Sequence, residues 1–272
     1  MTFTPVIPFA GLSGWSFLTR TMPAQKKAFD ADPTLQRDEV YFRDNIAKAD
    51  TAEKLVGDRR LLSVALTAFG LEGDINNKYF MKKVLEDGTL DDGALSNRLA
   101  DKRYLEFSKA FGFGDFPIAN TQLSDFPDKI LTAFAERKFE TAVGQQDDDM
   151  RLALNATREL GKLAQRGLSE DTKWFTALGS PPLRSVLQTA LGLPSSFAGV
   201  DLDRQLAVLK DYSQKYLGSS DISQFAEPEN VEKLVRLFLI RSQARDVSTA
   251  SSAALTLLQQ AGRTTNLLSR YV

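Results

Sequence analysis

Apolar side chains recur every three or four residues along almost the whole chain, and no run of alternating β-branched residues is long enough to make a sheet. That spacing puts the apolar groups on one face of a helix, so the expected class is all-α, with about a dozen helices. Local stop and start signals agree. Asp32 before Pro33 places a cap ahead of a proline at the first helical position, and Asp50 followed by Glu53 reads as a capping box. Asp58 is placed to cap a helix with Leu61, Leu62, Ala65, Leu66 and Phe69 on one face, closed by Gly70. Further starts are expected after Asp74, Asp92, Asp101, Ser169, Ser180 with Pro181, Asp201 and Pro228.

The segment GFGDFPIANTQLSDFP, from Gly112 to Pro127, has no helical period and reads as a connector. Its aromatics Phe113, Phe116 and Phe126 predict that it packs onto the helical body. On either side of it the chain repeats itself. Residues 55–71 read LVGDRRLLSVALTAFGL and residues 177–193 read ALGSPPLRSVLQTALGL, with eight identities in 17 positions. Leu85-Glu86-Asp87 then answers Leu209-Lys210-Asp211, and the stretches 104–111 and 231–240 share apolar spacing. The expected organisation is an N-terminal arm and first helix (1–30), a helical module (31–115), the connector (116–127), a diverged second copy (128–245) and a C-terminal heptad helix (246–272). The echo of Ala68-Phe69-Gly70-Leu71 in Ala110-Phe111-Gly112-Phe113 reads as a common way of ending an amphipathic helix.

The chain has no histidine and no cysteine among its 272 residues. It therefore lacks a thiolate nucleophile, a thiol redox centre, a cysteine or histidine zinc site and an imidazole relay. Ser/Lys pairs, carboxylate pairs, tyrosine and carboxylate-held magnesium remain as chemical options. The formal charge of −1 supplies no global field for a nucleic-acid backbone or an anionic membrane. Neither is expected as a partner.

Motifs for known chemistries fail at defining positions. Gly112-Phe113-Gly114 lacks the third glycine and the preceding strand of a dinucleotide loop, and Gly161-Lys162 lacks the rest of a P-loop. The turn from Glu86 to Gly93 resembles a calcium loop. Counted from Asp87, however, position six is Asp92 where glycine is needed, and position twelve is Arg98 where a bidentate Glu is needed. Asp147-Asp148-Asp149 reads as helix capping. Arg59-Arg60 stands opposite Pro181-Pro182 in the second copy, and a salt-bridged surface role is expected for it. No cofactor, metal or catalytic residue is expected, and the chain reads as non-enzymatic.

The ends suggest contact surfaces. Residues 1–19 carry no charged side chain, but Pro5 and Pro8 interrupt the apolar part and no basic residue precedes it, unlike a cleavable signal. An arm laid on the protein's own surface is expected. No window offers the roughly 20 uncharged apolar residues of a membrane span. From residue 247 onward, Val247, Ala250, Ala254, Leu257, Ala261, Thr264, Leu268 and Tyr271 keep a 3–4 spacing with mostly polar neighbours. This narrow seam has too little charge for intrahelical support, so its order must come from docking. Its partner is either the protein's own body or another chain, a second copy included.

Several separated blocks carry a resemblance. Tyr41-Phe42-Arg43, Asp50 to Leu55, Asp58 to Leu62, Ala68 to Leu71, Val84 to Gly88, Leu95 to Tyr104 and Phe111-Gly112-Phe113 follow one another in an order that resembles an all-helical domain-of-unknown-function family of alphaproteobacteria, often encoded among flagellar genes. The likeness covers residues 30–115 well and 160–245 weakly, and departs most where Ser180-Pro181-Pro182 replaces Asp58-Arg59-Arg60. Exported axial components of the flagellum are similar in lacking cysteine and in ending on a polar heptad helix. The resemblance implies a structural or interaction role in the flagellum or its assembly, cytoplasmic or flagellum-associated, with other protein chains as partners. The alternative is a cytoplasmic adaptor or chaperone-like protein that receives a partner helix between its two copies.

Overall fold

The computed structural model describes residues 3–245. The described residues form helices joined by short 3-10 turns and loops: α1 (Gly11–Asp30), α2 (Pro33–Asn45), α3 (Ala52–Gly57), α4 (Arg59–Phe69), α5 (Lys78–Glu86), α6 (Leu95–Arg98), α7 (Arg103–Phe111), α8 (Phe126–Gly144), α9 (Asp148–Ala164), α10 (Glu170–Leu178), α11 (Pro181–Leu191), α12 (Leu202–Leu217) and α13, described over 228–245. The protein is all-α, as its periodicity requires.

Most boundaries follow from local chemistry. The Asp32 carboxylate accepts hydrogen bonds from the Thr34 and Leu35 amides, and Asp58 accepts from Arg60 and Leu61, so α2 and α4 begin where their orphan N–H groups find an acceptor. Helices α4 and α11 end alike. Gly70 (φ 70°) and Gly192 (φ 72°) adopt the left-handed conformation, and the Leu71 and Leu193 amides reach back to the Leu66 and Gln188 carbonyls. One expected cap moves by a residue: Thr51, not Asp50, accepts the Lys54 amide, while Asp50 forms an ion pair with Lys54 at 2.7 Å. The ion pair with Lys54 engages the Asp50 carboxylate and leaves the cap to Thr51. Asp74 ends a 3-10 turn (Glu72–Asp74) and α5 starts only at Lys78, with Asp74 accepting from Asn77. The start expected after Asp92 yields only the single turn of α6.

One continuous core runs through the described body. Helix α8 lies along α4 and α2, α9 lies along α11 and the 3-10 turn Ile222–Ala226, and α8 and α9 pack on each other. The hairpin of α8 and α9 thus joins the part of the chain before the connector to the part after it. In the connector, Phe126 meets Phe111 edge-on at 5.1 Å and Phe113 stacks on Phe111 at 5.7 Å, as expected. Phe116 differs: it is half exposed, next to a bend at Pro117. The N-terminal arm is strapped to the body. The Val6 amide donates to Gln25 Oε1 and the Val6 carbonyl accepts from Gln25 Nε2, while Gln146 donates to the Pro5 carbonyl. No helix among the described residues is long and apolar enough to cross a membrane.

Candidate functional site

The residues singled out from the sequence for partner contact, Val247, Ala250, Ala254, Leu257, Ala261, Leu268 and Tyr271, lie outside the described residues. Arg59 and Arg60 are surface groups. Arg60 pairs with Asp38 at 2.8 Å and covers the Tyr41 ring at 4.4 Å, and Arg59 donates to Asn76. The acidic turn uses its carboxylates locally: Asp87 pairs with Lys83, and Asp91 accepts the Gly93 amide. Asp147 caps α9 through the Met150 amide. Gly114 serves close packing, because a Cβ there would overlap the Gly88 backbone.

A nucleophile–amine pair forms between α10 and the 3-10 turn Ile222–Ala226. Lys173 Nζ lies 2.6 Å from Ser223 Oγ, but also donates to the Ala164 carbonyl (3.1 Å) and to Glu170 (3.0 Å). An amine with all three N–H bonds so engaged has no lone pair for a serine proton, and the trio acts as a buried tie.

The distinctive site is a cleft of about 220 Å³ where α4, α7, α8, α9, α10 and α11 meet. Ala68, Phe69, Ala133, Leu163 and Leu183 supply its apolar surface, and Thr176 and Ser180 add hydroxyls. Its charged wall holds Lys102, Arg103, Arg137, Arg158, Lys162 and Arg166 against only Glu106 and Glu159. Three of these cations are largely buried and come from three different helices. Arg103, at the start of α7, is held by Asp101 at 2.7 Å and donates to the Gly70 carbonyl at the end of α4. A cation suits that position, since the last carbonyls of a helix carry partial negative charge. Arg158 of α9 grips Glu140 of α8 through two hydrogen bonds, at 2.8 and 3.1 Å, and also pairs with Glu159. Arg137 of α8 reaches Glu159 at 3.3 Å. The hydrogen-bond network orients buried Asn155 with its oxygen toward both guanidiniums, 2.9 Å from Arg137 Nη1 and 3.2 Å from Arg158 Nη2.

The electrostatics separate these three. Burial works against the charge of Arg103 and of Arg158, but Asp101 and Glu140 outweigh it and hold both above the ordinary guanidinium range. Arg137 is different: burial, then the neighbouring charge of Arg158, push it below that range. Its Nε is buried with no hydrogen-bond partner, a deficiency that costs about 1–3 kcal/mol for a buried polar group. Arg137 is therefore the least satisfied cation of the cleft.

Sequence reasoning missed this cluster. A readable signal exists for Arg137, which follows Ile130 and Phe134 at helical spacing and so sits on the apolar stripe of α8, where an unpaired charge is out of place. Arg158 stands likewise four residues after buried Leu154 on α9.

A crystal structure of a protein from Agrobacterium tumefaciens is similar in fold, with a TM-score of 0.72 at 23% identity over 89% of this chain and 99% of that one. A search of curated proteins found no match. Residues 68–231 match a family model described as "Protein of unknown function (DUF1217)", a span that contains the arginine cleft. With more than half of its length in that match, the chain belongs to the DUF1217 family.

Proposed function

We propose that this protein is a non-catalytic structural or interaction component associated with the bacterial flagellum or its assembly, acting through contacts with other chains. The observation that carries this reading is the seam that the sequence keeps at 3–4 spacing from Val247 to Tyr271. Trp15 Nε1 donates to Glu232 of α13 at 3.0 Å, and the α1 start at Gly11 abuts Gln243. On the same two elements, Phe9 just before α1 and Ile240 on α13 remain exposed. The fold relative comes from an alphaproteobacterium, in keeping with the resemblance to a family often encoded among flagellar genes.

The duplication read from the sequence has local support. Both 55–71 and 177–193 fold as the end of one helix, a break of one or two residues and an eleven-residue helix ended by a left-handed glycine. In each, an arginine from a later helix reaches that end: Arg103 donates to Gly70, and Arg241 to Ala190. The adaptor reading finds less support. A cleft of about 220 Å³ does lie between the two parts, but six cations line it where the apolar face of a partner helix calls for an apolar groove.

Light scattering on the full chain and on a chain ending at residue 246 tests the proposal. The truncated protein is expected to keep its helical signal and lose self-association or partner binding; unfolding on truncation would make the segment core instead. Deletion of the gene is expected to impair swimming, and normal motility with an intact hook and basal body would count against flagellar involvement.

A further inference from the structure

We infer that the arginine cleft binds a phosphate monoester with a compact apolar body, a role separate from the docking proposed above. Six cations face two carboxylates across its wall, and the acids that neutralise Arg103 and Arg158, namely Asp101 and Glu140, lie outside the lining. Three cations are left with spare capacity. Arg137 shares its one carboxylate, Glu159, with Arg158. Lys102 spends its ammonium on the Asn97 carbonyl, and Lys162 lies 3.9 Å from Glu136 with its side chain mostly exposed. One guanidinium and two mobile ammoniums suit a dianion with three peripheral oxygens better than a carboxylate with two, because a single arginine fork already saturates a carboxylate.

The rest of the lining limits the ligand. Phe69, Leu163 and Leu183 offer an apolar face beside the charges in a cleft of about 220 Å³, which suits a ring-sized group. Bound phosphate would also relieve the repulsion between Arg137 and Arg158, so binding and folding are coupled in the favourable sense.

The test is titration calorimetry on the full chain at constant ionic strength with phenyl phosphate, benzoate and inorganic phosphate, alongside amide NMR. Phenyl phosphate is expected to bind one-to-one, at least tenfold more tightly than either of the others, and to shift the Gly70 amide, which sits against Arg103 and Arg137. Arg137→Gln should weaken it at least tenfold. Because that change could unfold the protein, the double variant Lys102→Ala/Lys162→Ala provides a second arm, with an expected loss of three- to tenfold and unchanged circular dichroism. No binding of phenyl phosphate, equal binding of benzoate, or full affinity in the double variant would each overturn the assignment.

Discussion

Arg137 and Arg158, on neighbouring antiparallel helices, share one carboxylate, Glu159, and one amide oxygen, Asn155. Two like charges sharing so few acceptors inside a helical body are held there by the surrounding packing and by Glu140, which grips only Arg158. Arg137 absorbs the deficit, and the stability of this seam depends on each remaining acceptor.

Glu140→Ala should therefore be among the most damaging single changes in the molecule. It leaves Arg158 buried beside Arg137 without its two-point partner, with an expected loss of about 3–5 kcal/mol. Urea unfolding of the two proteins measures it, and a loss below about 1 kcal/mol would show the ion pair to be solvent-screened.

Alanine at two glycines should act in opposite directions. Gly70→Ala forces a side chain into left-handed backbone at φ 70° and sets its Cβ 3.0 Å from Arg137 Nη1, so a loss of about 1–2 kcal/mol is expected. Gly161, inside α9 with nothing within 4 Å of an added Cβ, should gain about 0.5–1 kcal/mol on becoming alanine. Thermal midpoints of the two variants should fall on either side of the parent.

Acid should loosen the tie on α10. Burial alone would raise Glu170, but hydrogen bonds from Ser223 and Lys173 outweigh it and hold the carboxyl below its usual value near 4.5. A lowered folded pKa contributes stability that is present above the unfolded value and is lost as pH falls through the folded one. The parent should thus lose stability more steeply than Glu170→Gln below about pH 4.5, a difference readable from melting curves between pH 7 and pH 3.

Base should reveal Tyr104. Burial, then its hydrogen bond to Asp74 at 2.7 Å, push the phenol up to about 12. The neutral ring is favoured in the folded state, so its contribution is complete below about pH 10 and disappears as pH rises toward 12. In a spectrophotometric titration a late phenolate step should appear in the parent and vanish in Tyr104→Phe.

The fold class and most helix ends were legible because their causes are local. Asp32, Asp58, Ser169 and Asp201 accept amides only two or three residues onward, and Gly70 and Gly192 end helices through bonds spanning five residues. Where two neighbours competed for one role, as with Asp50 and Thr51, spacing alone could not choose, because the choice turned on whether Lys54 would draw one carboxylate away.

The arginine cleft was not legible. Arg103, Arg137 and Arg158 are separated by 34 and 21 positions and sit on three helices, and although Arg137 and Arg158 fall on apolar stripes, no local spacing says that the three meet. Apolar periodicity and capping chemistry were enough to say that this chain makes helices and where they begin and end. Which charges those helices trap against one another was decided by packing, because burying the apolar stripes of α4, α8, α9 and α11 in one core brought Arg137 and Arg158 side by side and left Arg137 short of an acceptor.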